Sequence, residues 1–275
     1  MLDFFWVPFS FAFMQQAVLI TVLISAAAAL LSCFLVLMGD AVSHAVLPGV
    51  VVSFVLGIPV AVGAFAAGML CALAAGYIQE NSRVKQDTVL GVVFSGMFGL
   101  GLVMYLKVET NVHLDHILFG NMLGLTPQDI LLTSIIAIFT MVVIIAKRRD
   151  FLLFSFDPQH AGAIGLPVRV LHYGLLMLLS LTIVGALSAV GIILSIALVI
   201  APGSIAFLLT DRFDRMLLYS VLIAVLSSIV GIFASFHLDS APAPTIVLLM
   251  ALLFVAVFLL GPKSGVLHKA AVKDT

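Results

Sequence analysis

The sequence predicts an all-α integral membrane protein with about nine transmembrane helices. Hydrophobic residues make up 63% of the chain and charged residues only 9%, whereas soluble domains carry about 25% charged residues. The charges are also clustered, which leaves seven long stretches without Asp, Glu, Lys or Arg: residues 4–39, 41–79, 88–106, 130–146, 170–210, 216–238 and 240–262. A spanning helix needs about 20 apolar residues. The stretches 41–79 and 170–210 therefore hold two spans each, and the total is nine, or eight if one span is only half-inserted.

The first three spans are predicted between residues 14 and 77. Span one covers residues 14–37, and span two runs from Asp40 to Gly57, where Gly57-Ile58-Pro59 forms a short turn. Span three covers residues 60–77 and is rich in glycine and alanine. Small residues let neighbouring helices approach closely.

Spans four and five flank a polar loop. Span four covers residues 88–106. The helix of span five is expected to begin at Thr126-Pro127, because threonine caps a helix and proline suits its first turn. Span five ends at the basic cluster 147–149.

The last four spans follow a connection, residues 150–169, that is too polar to be inserted. Spans six and seven share residues 170–210, with a break near 188–191. Span eight ends at Ser235, and span nine leads to a short tail, residues 262–275. We expect residues 1–275 to form a single transmembrane domain.

The basic residues predict the orientation of the bundle. With nine spans, eleven of the twelve Lys and Arg residues fall on one side, and only Lys107 falls on the other. Cytoplasmic loops carry the excess of basic residues, so this side is predicted to be cytoplasmic. The connection 150–169 and the C-terminus are then cytoplasmic, and the N-terminus is external.

Asp40 and His44 are the main candidate functional residues. They lie in a long uncharged region, where ionisable side chains at membrane depth are costly unless they are used. Helical i, i+4 spacing would place them on one face, about 6 Å apart at Cβ. Carboxylate and imidazole together suit Mn, Fe(II) or Zn, which predicts a transient divalent-metal site. The alternative is a plain helix start, with Asp40 as the N-cap and His44 facing a neighbouring helix or interfacial water.

Two external loops also carry metal-binding residue types. The loop between spans four and five contains His113, Asp115 and His116, and the loop between spans eight and nine contains His237 and Asp239. Both sets are candidates for the external mouth of a metal pathway. Solvated loops with chance histidines remain the alternative.

The cytoplasmic connection has the pattern of a short helix. Asp157-Pro158 marks its start, and Gly165 and Pro167 mark its end, with His160 and Ala161 inside it. A polar helix outside the bundle has no core to fill, which favours a docking surface for a cytoplasmic partner. No phosphate-binding GxxxxGK[ST] loop occurs, so ATP hydrolysis is not expected in this chain. Energy must come from a partner or an ion gradient.

Four segments resemble the permeases of the manganese/zinc/iron class of ABC transporters, most closely the chelated iron and manganese permeases of Gram-negative bacteria. They are Met38-Gly-Asp-Ala-Val-Ser-His-Ala-Val-Leu-Pro-Gly49, Leu118-Phe-Gly-Asn-Met-Leu-Gly124, Phe156-Asp-Pro-Gln-His-Ala161 with Gly165-Leu-Pro167, and Ala201-Pro-Gly203 with Leu209-Thr-Asp211. The resemblance implies a type II-like importer in the bacterial inner membrane. Its parts would be two permease subunits, identical or different, two cytoplasmic ATPases and a periplasmic metal-binding protein.

The resemblance also implies residue roles. Asp40 and His44 would line the pathway of a transported Mn, Fe or Zn ion, and the segment from Asp157 to Pro167 would be the helix that couples to the ATPase. No permanently bound cofactor and no nucleic-acid partner are expected. The family usually carries a Lys-Gly-Trp-Ser-Leu-like stretch before its Met-Gly-Asp motif, whereas Leu37 here runs directly into Met38. An assembled but inactive permease is therefore one alternative, and an ion-coupled secondary transporter, with Asp40 as a proton relay, is another.

Overall fold

The computed structural model describes residues 12–84, 86–107, 120 and 124–260, with side chains described in these ranges except at 12–13, 36–41, 79–80, 86–87 and 188. Every regular element in this part of the chain is a helix. In chain order these are α1 (Ala12–Ala45), α2 (Leu47–Leu56), α3 (Val60–Asn81), α4 (Gln86–Lys107), α5 (Pro127–Ala146), α6 (Arg148–Phe156), α7 (Pro158–Ala163), α8 (Val168–Leu209), α9 (Phe213–Leu238) and α10 (Pro242–Leu260).

Eight segments of the described chain are long and apolar enough to cross a membrane. They are Met14–Leu35, Val60–Ile78, Thr88–Lys107, Pro127–Ala146, Val168–Leu187, Ala189–Leu209, Phe213–Leu238 and Pro242–Leu260. Predicted span two, from Asp40 to Gly57, appears instead as the shorter apolar helix Val42–Leu56. The described chain therefore agrees with the lower of the two predicted counts, eight spanning helices, with the second predicted span being the short one.

Helices α1 and α8 form the centre of the bundle. Over an apolar stretch of 18 residues, 61% of the residues of Met14–Leu35 and 67% of those of Val168–Leu187 are buried. The corresponding share in α4 and α10 is 17%. A Cβ on Gly203 of α8 would lie only 2.5 Å from Ser32 Oγ of α1, which shows how closely the two helices approach. The faces of α4 and α10 that point away from the bundle carry exposed apolar side chains, as lipid-facing helices require.

Two breaks divide the central helices. The α1 backbone leaves helical geometry at Leu35 (φ −136°, ψ 42°), and the α8 backbone does so at Gly191 (φ 75°, ψ 177°). The break in α8 falls in the predicted range 188–191, because glycine tolerates a positive φ. The break at Leu35 was not predicted from the sequence, and it ends span one two residues earlier than expected.

A side-chain cap starts α5 and a glycine ends α2, both where the sequence predicts. Thr126 and Asp129 form a capping box at the start of α5, in which the Asp129 backbone N–H donates to Thr126 Oγ1 at 3.2 Å. Gly57 ends α2 in the left-handed conformation (φ 67°). The turn after it brings α3 back against α2, and Gly49 and Gly63 lie in direct backbone contact between the two helices.

The connection between α5 and α8 contains more helix than predicted. In addition to the expected short helix α7, the residues before it form the helix α6. Phe151 of α6 is 4% exposed, and its ring centroid lies 6.2 Å from that of Phe34 on α1. Phe154 of α6 also packs inward, with its ring centroid 5.9 Å from that of His172 on α8. The charged residues at the start of this segment obscured its helical pattern.

Candidate functional site

His44 lies in the last turn of α1, inside the bundle. Its ring is half-buried, and its centroid lies 5.7 Å from that of Phe94 and 5.6 Å from that of Phe98, both on α4. The neighbouring Ser43 is 1% exposed. Two aromatic rings from another helix therefore pack against this imidazole and help to fix its position.

The segment around His44 is held on its other side by α3. Val42 and Val46 are fully buried, and both would lie within 3.4 Å of a Cβ placed on Gly68 of α3. Glycine at position 68 thus lets the backbone of α3 approach the motif. The His44 segment is enclosed between α3 and α4.

Asp40 lies in the helical part of α1 between Leu35 and Ala45. Its side chain is outside the described set, but its helical backbone preserves the four-residue spacing to His44. One part of the predicted alternative, a helix that starts with Asp40 as its N-cap, is wrong, because the backbone is already helical from residue 36. Its other part, His44 facing a neighbouring helix, agrees with the contacts to Phe94 and Phe98. The break at Leu35 instead separates the Asp40 and His44 segment from the first spanning helix.

The described residues contain no group of three or more His, Cys, Asp or Glu side chains with the spacing of a metal site. A site that uses Asp40 and His44 alone would leave much of the coordination sphere of a metal open. Incomplete coordination suits an ion that must leave again, since conduction requires binding that is weak enough to release.

The candidate docking segment has well-defined ends. The N–H of His160 donates to Asp157 Oδ1 at 2.9 Å, which caps the start of α7. Gly165 adopts φ 87°, and the N–H of Leu166 donates to the carbonyl of Ala161 at 3.0 Å. The predicted helix and its end at Gly165 are confirmed, and Pro167 is the N-cap residue of α8.

Two exposed apolar side chains flank α7, and the sequence interpretation missed both. Phe156 is 72% exposed and Ile164 is 58% exposed, whereas Ala161 between them is fully buried. His160 is exposed on the same segment. The sequence signal that could have found them is the presence of large apolar residues within a polar connection. Exposed apolar side chains of this kind are typical of a protein contact surface.

His237 and Asp239 lie in and just after the last turn of α9, at the end remote from α7. His237 Nδ1 lies 2.9 Å from the carbonyl of Phe233, and Asp239 adopts a left-handed conformation (φ 51°) at the helix C-terminus. Both side chains are exposed. Their geometry is that of a helix end, and a pathway role for them stays a prediction. His113, Asp115 and His116 lie outside the described residues.

The chain is similar in sequence to known membrane transport proteins over most of its length. Residues 10–261 match the model of the ABC 3 transport family. The chain is 54% identical over 253 residues to the chelated iron transport system membrane protein YfeD of Yersinia pestis, covering 90% of this chain and 85% of that protein. It is 47% identical over 265 residues to the manganese transport system membrane protein MntB of Synechocystis, covering 94% and 87%.

A solved structure is similar over almost the whole chain. A chain of PsaBC from Streptococcus pneumoniae, solved in complex with Fab, is 34% identical and superimposes with a TM-score of 0.84. The match covers 95% of this chain and 96% of that chain. The arrangement of helices is therefore shared with that chain.

Proposed function

The chain belongs to the ABC 3 transport family, and we propose that it is the membrane-spanning permease subunit of an ATP-driven importer of divalent manganese or iron. The observation that carries the proposal is the match over nearly the full length to one protein named for iron transport and one named for manganese transport. These two names also make manganese and iron, rather than zinc, the metals that we propose.

The proposed orientation places α6 and α7 in the cytoplasm. The basic residues at 147–149, 212 and 215 lie at the same end of the bundle as α7, and cytoplasmic loops carry the excess of such residues. The C-terminus is then cytoplasmic, and the chain is a single permease domain of the bacterial inner membrane.

In this proposal Asp40 and His44 are transient ligands of the transported ion. Imidazole and carboxylate suit both Mn and Fe(II). The Phe94 and Phe98 rings pack against His44 and hold it in place. His237 and Asp239, together with His113, Asp115 and His116, would lie nearer the external mouth.

The proposed energy source is a separate cytoplasmic ATPase that docks on α7. Phe156 and Ile164 offer the apolar contact surface for it, and α8 begins only a few residues after α7. A shift of α7 on ATP binding would therefore move the first part of α8, where Ser180 lies against Gly68 of α3. The same glycine lies against Val42 and Val46, which flank His44. A periplasmic metal-binding protein and a second permease subunit complete the proposed complex.

Copurification and energy dependence test this proposal. We expect the tagged chain to bring down an ATPase subunit and metal uptake to stop on ATP depletion. Uptake that survives ATP depletion but stops with an uncoupler would instead support an ion-coupled secondary transporter. A chain that binds the ATPase but never accumulates metal would support the inactive permease.

A further inference from the structure

An arginine-lined cleft lies at the basic end of the bundle, between α6 and the start of α9. Its volume is about 490 Å³. The cleft is lined by Arg148, Arg149, Leu152, Arg212, Phe213 and Arg215, together with Asp214. It shares no lining residue with the Asp40 and His44 segment or with α7.

The cleft is strongly cationic. Four arginines and one aspartate line it, and that aspartate is already paired, because Arg148 Nη1 lies 3.2 Å from Asp214 Oδ1. The nearby Asp150 is paired with Lys147 at 3.2 Å, and Asp211 precedes Arg212 directly. The excess of arginine therefore persists after the neighbouring acids are counted.

The N-terminus of α9 adds to this positive potential. This helix begins at the cleft, and its N-cap residue, Arg212, has no side-chain hydrogen bond to the helix. The first N–H groups of a helix lack intrahelical acceptors and carry partial positive charge. Arginine forks next to such N–H groups are suited to a phosphate.

The arginines lie at the ends of two spanning segments. Arg148 and Arg149 follow the end of the spanning segment Pro127–Ala146 by two and three residues, and Arg212 and Arg215 flank the start of the spanning segment Phe213–Leu238. Membrane proteins bind anionic headgroups in basic pockets between helices at this level. A soluble partner would instead meet α7, which lies further along the chain and exposes Phe156 and Ile164.

An apolar track leads from the cleft along α9. Leu218, Leu222 and Leu226 are 57%, 46% and 57% exposed and recur every four residues on one face of the helix. Leu218 comes three residues after Arg215. A phosphate in the cleft would therefore have room for an attached acyl chain along these three leucines.

We propose that this cleft binds the phosphate headgroup of an anionic glycerophospholipid of the inner leaflet, with one acyl chain along Leu218, Leu222 and Leu226. The site depends on the basic end of the bundle lying at a membrane surface and does not depend on which metal is transported. Bound lipid would connect α6, next to the docking helix α7, to α9 in the bundle.

Native mass spectrometry of the purified full-length chain in detergent tests the proposal, with dioleoyl phosphatidylglycerol and dioleoyl phosphatidylcholine as probes. We expect retention of phosphatidylglycerol in preference to phosphatidylcholine. Each arginine near the surface should contribute about fivefold in affinity, so the combined change Arg149→Gln, Arg212→Gln and Arg215→Gln should weaken binding on the order of a hundredfold. Arg169→Gln, an exposed arginine at the same end but outside the cleft, should leave binding unchanged.

Several results would overturn the proposal. Equal retention of both lipids, or unchanged phosphatidylglycerol binding in the triple variant, would exclude the cleft as a lipid site. Complete displacement of the lipid by millimolar inorganic phosphate would show a free-phosphate site instead, and loss of ATPase copurification with unchanged lipid binding would show a protein interface. If the triple variant fails to accumulate in membranes, Arg149→Gln alone should still weaken binding about fivefold, and unchanged binding would again overturn the proposal.

Discussion

The imidazole ring of His44 meets the ring of Phe98 edge-on, with the centroids 5.6 Å apart and an interplanar angle of 82°. The contact joins the end of α1 to the middle of α4, and Phe94 supports the same ring from one turn earlier. His44 is therefore positioned by α4 as well as by its own helix.

Removing this aromatic support should weaken transport without removing a ligand. An aromatic pair contributes about 0.5–1.5 kcal/mol, so we expect Phe98→Ala to lower metal uptake at subsaturating metal roughly fivefold. The measurement is radioactive manganese uptake, normalised to the amount of the chain in the membrane. Phe139→Ala on α5, where the ring is 50% exposed, is the matched control and should transport normally. Equal uptake by Phe98→Ala and the control would show that the rings do not position His44.

Close packing of α2 on α3 depends on glycine at position 49. A Cβ added there would overlap the carbonyl of Gly63 and lie 2.6 Å from the Ala67 methyl carbon. Because backbone cannot move aside cheaply, we expect Gly49→Ala to lower the free energy of unfolding by about 1–3 kcal/mol or more. Thermal unfolding in detergent measures this. Gly174→Ala, where a Cβ would meet nothing within 4 Å, should not lower the melting temperature, and equal melting of the two variants would refute the close approach.

The end of the docking helix depends on the positive φ of Gly165. Placing a Cβ in the left-handed region costs about 1–2 kcal/mol, so Gly165→Ala should alter the end of α7 and reduce ATPase copurification. Gly162→Ala is the matched control, because its Cβ would make only an ordinary contact, 3.6 Å from Val168 Cγ2. Quantitative pull-down of the ATPase from membranes is the measurement. Undiminished capture by Gly165→Ala would argue that the shape of this turn is irrelevant to docking.

The sequence predicts the features that local chemistry determines. Thr126-Pro127 starts α5, Gly57 ends α2, and Asp157 and Gly165 bound the short docking helix. In each case one or two neighbouring residues decide the conformation through a cap or a positive φ. The apolar stretches likewise predict where spanning helices lie, because a lipid environment leaves little choice of structure.

Features that depend on packing could not be predicted in this way. Leu35 is an apolar residue in an apolar run, without a proline or glycine to mark the break in α1. The contact of His44 with Phe98 joins residues 54 positions apart, and nothing local indicates it. The arginine cleft likewise combines the end of one span with the start of another.

The central claim is that Asp40 and His44 contact the transported ion, and metal accumulation by single-residue variants tests it most directly. We expect Asp40→Asn and His44→Ala each to abolish manganese and iron accumulation in cells that lack other importers. Membrane level and ATPase copurification should remain normal, because both substitutions leave α7 unchanged. Normal accumulation in both variants would contradict the claim.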